Sequence, residues 1–139
     1  MTKSIWINLP VKDLTKSKAF YNKLGFTPNP QHPDSDNAAS FFVGEKEVVL
    51  MLFSEAAFQN FTNQAIPDPE QGASVLFSID AESREEVDEL AKKAAEAGGA
   101  IYGKPGEQDG WMYGAGFTDP DGHRWNILYM DMSKAPGHK

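Results

Sequence analysis

The sequence predicts an α+β fold: two βαβββ modules whose mixed four-stranded sheets curve around a cleft. Three observations carry that prediction. Residues 5–14, IWINLPVKDL, alternate in polarity and run into a helix that stops at LGF; residues 73–80, ASVLFSID, do the same before a helix that stops at AGG. Each helix is followed by two further strand signals around a tight turn, FFVGEKEVVLML at 41–52 and GFTDPDGHRWNIL at 116–128. Setting Phe42 against Phe117 brings Met51 against Asn126, so the halves share a spacing as well as a pattern. Each module has one apolar sheet face and needs its twin to bury it, which puts the expected ligand site between the halves.

In the first strand Ile5, Ile7, Leu9 and Val11 alternate with Trp6, Asn8 and Pro10. The aliphatic set faces a helix, and Trp6 and Asn8 face the other way. Asp13 is the N-cap of that helix. Phe20 and Leu24, with Ser17 and Tyr21, form its apolar stripe, and Gly25 supplies the left-handed stop. Residues 28–40, PNPQHPDSDNAAS, read as an exposed loop. Strands follow around 41–43 and 47–53, joined by Gly44-Glu45-Lys46. Residues 54–61 form a short helix capped by Ser54, with Phe58 and Phe61 on one side. Residues 62–72, with two prolines, are the linker.

The second module repeats the plan. Ser83 and Glu86 make a capping box; Val87, Leu90, Ala91 and Ala94 follow at helical spacing, and Gly98-Gly99 end the helix. Residues 104–110, KPGEQDG, read as a polar loop, and Asp119-Pro120-Asp121-Gly122 as a hairpin turn into the last strand, 123–130. The organisation is one domain over residues 1–139: module one 1–61, linker 62–72, module two 73–130 and a loose tail 131–139. Period-two alternation sends Ile5, Ile7, Val75, Phe77, Trp125 and Ile127 to the helix-backed face. That leaves Trp6, Asn8, Met51, Ser74 and Asn126 for the concave side, with Trp111 and Tyr113 closing it.

Composition narrows the function classes. There are no cysteines, so disulfides, thiolate metal sites and cysteine nucleophiles are excluded. No apolar run approaches the ~20 residues of a membrane span. The N-terminus MTKSIWINL lacks a secretory signal, which gives a cytoplasmic expectation. The net charge of −7 argues against a nucleic-acid or anionic-membrane partner. It favours a cationic ligand only weakly, since an acidic balance is ordinarily a solubility feature. No dinucleotide fingerprint, phosphate loop, nucleophile elbow or H-E-x-x-H is present.

Two readings stand side by side for most single residues. Asn8 either orients a ligand or satisfies a neighbouring backbone group. Trp111 and Tyr113 either wall a cavity for a planar ligand or fill a core or dimer contact. Arg124 leans to the Asn126 side near the mouth, or is a solvated surface charge. Gly110, Gly114 and Gly116 fit a twisted strand with room for close packing. The aromatics Trp6, Trp111, Trp125 and Tyr129 exceed what one small core needs, and sheet edges need cover; both point to a homodimer.

The motifs NLPVKDLTKSKAFYNKLGF and FTDPDGHRWNIL resemble the vicinal-oxygen-chelate superfamily, the glyoxalase/bleomycin-resistance/extradiol-dioxygenase fold. The segments WINLPV and GWMYG look most like its predicted lactoylglutathione-lyase group. The resemblance implies a divalent ion held by one residue on the first and one on the last strand of each half. Carried over, these positions are Trp6, Met51, Ser74 and Asn126. A hard cation wants carboxylate, imidazole or amide oxygen, and only Asn126 offers one, so no metal and no cofactor are expected. His32, His123 and His138 lie in a loop, after a turn and in the tail. The resemblance then leaves two functions: a metal-free small-molecule binding protein, for a cationic or planar ligand, or a glyoxalase-like lyase acting on a thiol conjugate of a 2-oxoaldehyde. The binding residues expected are Trp6, Asn8, Met51, Ser74, Trp111, Tyr113, Arg124 and Asn126, with no catalytic residue assigned.

Overall fold

The structure, a computed structural model, describes residues 1–137, which divide into two compact units, 1–71 and 72–137. The first unit contains β1 (Trp6–Val11), α1 (Leu14–Leu24), β2 (Thr27–Pro28), β3 (Ala38–Val43), β4 (Val48–Ser54) and α2 (Glu55–Thr62). The second contains β5 (Leu76–Asp80), α3 (Arg84–Glu96), β6 (Ala100–Gln108), β7 (Met112–Thr118) and β8 (Arg124–Met130). Each unit is one four-stranded mixed sheet, ordered β1-β4-β3-β2 and β5-β8-β7-β6. The first strand of each pairs in parallel with the last, and the other pairs are antiparallel. Two βαβββ repeats are therefore present, as the alternation and the paired helices predicted.

Local chemistry explains the helix boundaries. The Asp13 carboxylate accepts from Lys16 N at 3.1 Å and starts α1. Gly25, at φ 96°, ends it, a backbone region where a side chain would be strained. Ser54 accepts from Ala57 N and starts α2. Ser83 accepts from Glu86 N at 3.1 Å, while the Glu86 carboxylate reaches back to Glu82 N rather than to Ser83 N. The capping box thus closes one residue earlier than the motif implies.

In the first unit α1 packs on β3 and β4, burying Phe20, Tyr21 and Leu24 against Phe41, Leu50 and Leu52. In the second, α3 packs on β6, β7 and β8, with Val87, Ala91 and Ala94 against Ala115, Phe117, Trp125 and Ile127. Trp125 is 1% exposed and stacks with Phe117, so it belongs to this core rather than to a surplus of surface aromatics. Ile5 and Val75, expected on the helix side, precede their strands and are exposed.

Four sequence expectations need correction. Residues 104–108 are strand, not loop: β6 runs to Gln108 with register shifts at Gly103 and Gly106. The loop read over 28–40 loses both ends, to β2 and to the start of β3 at Ala38. Residues 132–134, in the expected tail, form a 3-10 turn capped by Asp131, whereas His138 lies outside the described residues. Finally, Phe41, not Phe42, is the counterpart of Phe117. Both pair beside the buried positions Leu50 and Trp125. The hairpin between β3 and β4 leaves residues 44–47 unpaired and that between β7 and β8 leaves 119–123, so the second turn is one residue longer. Among the described residues no helix is long and apolar enough to cross a membrane.

Candidate functional site

Each sheet has one face backed by its main helix and one that this helix does not cover. On that second face the first unit presents Trp6 and Asn8 from β1, with Val49, Met51 and Phe53 from β4. Asn8 sits beside Met51, and Ser40 of β3 flanks Met51 on the other side. Ser40 is 3% exposed, and its hydroxyl accepts from the Asn29 side-chain amide at 3.2 Å. Phe53 carries Phe61 of α2, ring centroids 5.0 Å apart. The set is apolar and aromatic, with one exposed amide at Asn8.

The same face of the second unit is polar. Ser78, Asn126 and Gly116 stand in one row across β5, β8 and β7. Tyr102 of β6 reaches over Gly116, and its hydroxyl donates to Asn126 Oδ1 at 2.8 Å, with the Trp125 carbonyl 3.2 Å away. This needs a glycine: a Cβ at residue 116 would lie 2.5 Å from the Tyr102 ring. Arg124, two residues before Asn126 and on the same face, lays its guanidinium carbon 4.4 Å from the Tyr102 ring centroid. Burial pushes the Tyr102 phenol above the ordinary tyrosine range, and Arg124 only partly opposes this. The phenol therefore stays protonated and keeps donating to Asn126.

The other expected site residues fall elsewhere. Tyr113 is on the helix-backed face, where its hydroxyl donates to Asp88 of α3 at 2.6 Å. Arg84 lies over the Tyr113 and Tyr129 rings at 5.9 and 5.3 Å, and Glu107 accepts from its Nε at 3.0 Å. That cluster fastens α3 to the sheet, and it turns Tyr113 away from Asn126. Trp111 is half-buried in the turn before β7, its carbonyl accepting from Asp131 N at 2.8 Å. Ser74 precedes β5 and is exposed; the serine beside Asn126 is Ser78. Tyr102 and Ser78 were not singled out from sequence, whereas Gly116 was read as room for close packing, and Tyr102 is what fills that room. The signal for Tyr102 is the alternation Ala100, Ile101, Tyr102, which the following Gly-Lys-Pro-Gly run masks.

A divalent ion does not fit these positions. Trp6 has no donor atom for a cation, and the Met51 thioether suits soft metals. The Asn126 oxygen already accepts from Tyr102, and a guanidinium stands over the same ring. Among the described residues there is no group of three or more His, Cys, Asp or Glu that could hold a metal.

The sequence model described as the Glyoxalase/Bleomycin resistance protein/Dioxygenase superfamily matches residues 3–127. Among solved structures, hypothetical protein SA1046 from S. aureus is 36% identical, with a TM-score of 0.81 over 93% of this chain and 94% of that one. The fosfomycin resistance protein FosX from Listeria monocytogenes is 18% identical, with a TM-score of 0.68 over 93% of this chain and 91% of its own. A lactoylglutathione lyase from Agrobacterium tumefaciens is 19% identical, with a TM-score of 0.63 over 93% and 94%. The last two share the fold. No curated protein matches the chain.

Proposed function

The chain belongs to the Glyoxalase/Bleomycin resistance protein/Dioxygenase superfamily, and from that premise we propose that it is a metal-free small-molecule binding protein, cytoplasmic and homodimeric. One observation carries the reading. At Asn126, where relatives of this fold offer a metal ligand, the side-chain oxygen is occupied by Tyr102. What remains around Asn126 is its amide nitrogen and the Arg124 guanidinium beside apolar side chains, the composition of a binding surface rather than of a Lewis-acid centre. Asn8, Trp6 and Met51 make the corresponding surface of the first unit.

The homodimer rests on the edges. β1 and β5 are outer strands, and Trp6 and Leu76 on them are 56% and 53% exposed. Unpaired apolar edges invite a second chain. Sedimentation should give about twice the 15.3 kDa chain mass; a single species of chain mass at micromolar concentration sinks the dimer.

The binding reading is tested by elemental analysis of protein purified without chelator and by hemithioacetal turnover with added Ni or Zn. No stoichiometric transition metal and no turnover above the metal blank are expected. One equivalent of metal that disappears in Asn126→Ala, or metal-dependent turnover, replaces this reading with a lyase.

A further inference from the structure

We propose that the Arg124–Tyr102–Asn126 cluster of the second unit binds the carboxylate of a small aromatic or apolar acid. The proposal deepens the binding reading above and rests on it. It also departs from what the overall charge of −7 suggests, because the local charge has the opposite sign.

The donor geometry argues for an anion. The Tyr102 hydroxyl takes the Asn126 oxygen, which leaves the Asn126 amide nitrogen, a pure donor, for anything that approaches. Arg124 packs its guanidinium on the Tyr102 ring at 4.4 Å. Part of the guanidinium is directed at the Tyr102 hydroxyl, and the other donors of its five-donor fork remain for a planar two-oxygen acceptor. Arg124 and Asn126 emerge from the same face of β8 about 7 Å apart along the strand, within the span of two such side chains converging on one carboxylate.

Charge bookkeeping points the same way. The other stacked arginine, Arg84, is neutralised by Glu107. Among the described residues no carboxylate lies within ion-pair distance of Arg124. The acidic residue of β5 on this face, Asp80, pairs beside Leu128, a full row past Asn126 and away from Arg124. The apolar body of the ligand has its own surface in Leu128, which follows Asn126 on the same face. Ser78 adds a hydroxyl next to Asn126.

The test uses the full-length protein, isotope-labelled, and three probes of one shape: benzoate, its neutral methyl ester and the cation benzamidine. The side-chain resonances of Asn126 and the Nε–H of Arg124 report on the cluster. Benzoate at millimolar concentration should shift both saturably, with the ester and benzamidine at least about tenfold weaker, the worth of one charge-assisted hydrogen bond. Arg124→Gln should lose the benzoate response by a similar factor. Tyr102→Phe, which keeps the ring but frees the Asn126 oxygen, should weaken it several-fold. Shifts with benzamidine or the ester but not with benzoate overturn the carboxylate assignment and leave the binding reading standing. No response to any of the three overturns both. The wild-type comparison decides even where a variant fails to fold.

Discussion

At one and the same point of its two sheets the chain puts a methionine in the first repeat and an asparagine in the second. Met51 and Asn126 each stand on the last strand, beside the parallel first strand, at Asn8 and Ser78 respectively. Behind them the buried positions correspond: Leu50 with Trp125, Leu52 with Ile127, Phe41 with Phe117. The side of the sheet that the helix covers has kept large apolar groups in both copies, because an emptied core position costs several kcal/mol. The other side has diverged into an aromatic, thioether surface in one unit and a guanidinium, amide and phenol cluster in the other. Duplication preserves the backbone and its core, and leaves the side that the helix does not cover free to specialise.

The largest expected break in that comparison is at the cores. Trp125→Ala should destabilise the second unit by about 3–5 kcal/mol, more than Leu50→Ala does the first, since Trp125 loses ring contacts to both Phe77 and Phe117. Urea unfolding followed for each variant checks this; equal losses would mean that the two cores are interchangeable. Next comes the row position beside Met51 and Asn126, Ser40 against Gly116. Ser40→Ala strips the acceptor from a buried Asn29 amide and should cost about 1–3 kcal/mol. Gly116→Ala forces a methyl to 2.5 Å from the Tyr102 ring, but that ring is 43% exposed and can swing away. The stability cost should therefore be about 1 kcal/mol or less, while the Asn126 amide resonances move as their Tyr102 partner leaves. A larger loss in Gly116→Ala than in Ser40→Ala reverses the contrast.

The smallest effect is a titration. Tyr102 and Tyr113 both have phenols raised above the ordinary range, for different reasons: burial in the first, and the Asp88 carboxylate accepting the proton in the second. A raised folded-state value means that the stabilisation is complete below the unfolded-state value and is lost as pH rises through the folded one. Ultraviolet titration of tyrosinate should lose one late-titrating phenol in Tyr102→Phe and another in Tyr113→Phe. A Tyr102→Phe curve that loses only an ordinary phenol would place the Tyr102 ring away from its present burial.

The strands legible in the sequence were β1, β3, β4, β5, β7 and β8, all with enough consecutive apolar alternation to be read. The two missed, β2 and β6, occupy the same place in each repeat, the outer edge opposite the first strand. An edge strand needs only one partner, so it tolerates the Pro28 that ends β2 and the Gly103, Pro105 and Gly106 within β6. Those residues are what made the segments read as loops. Asn126 was found by alternation and by the position that the family resemblance implies, and Arg124 by alternation. Tyr113 was given to the wrong face because Trp111 was counted into its strand, and because no sequence rule announces the bond to Asp88.

The amino-acid sequence by itself determined the duplicated fold, the helix caps, the two cores and the poverty of metal ligands, since each follows from local patterns of three to twelve residues or from residue type alone. Tertiary structure decided the one-residue difference in hairpin register, because turn length shows only when strands pair. It also decided that Ser78 rather than Ser74 stands beside Asn126. Only the folded sheet could bring Tyr102 across Gly116 onto Asn126, a contact spanning 24 residues of chain. That contact takes the Asn126 oxygen and leaves its amide nitrogen as the group the face presents.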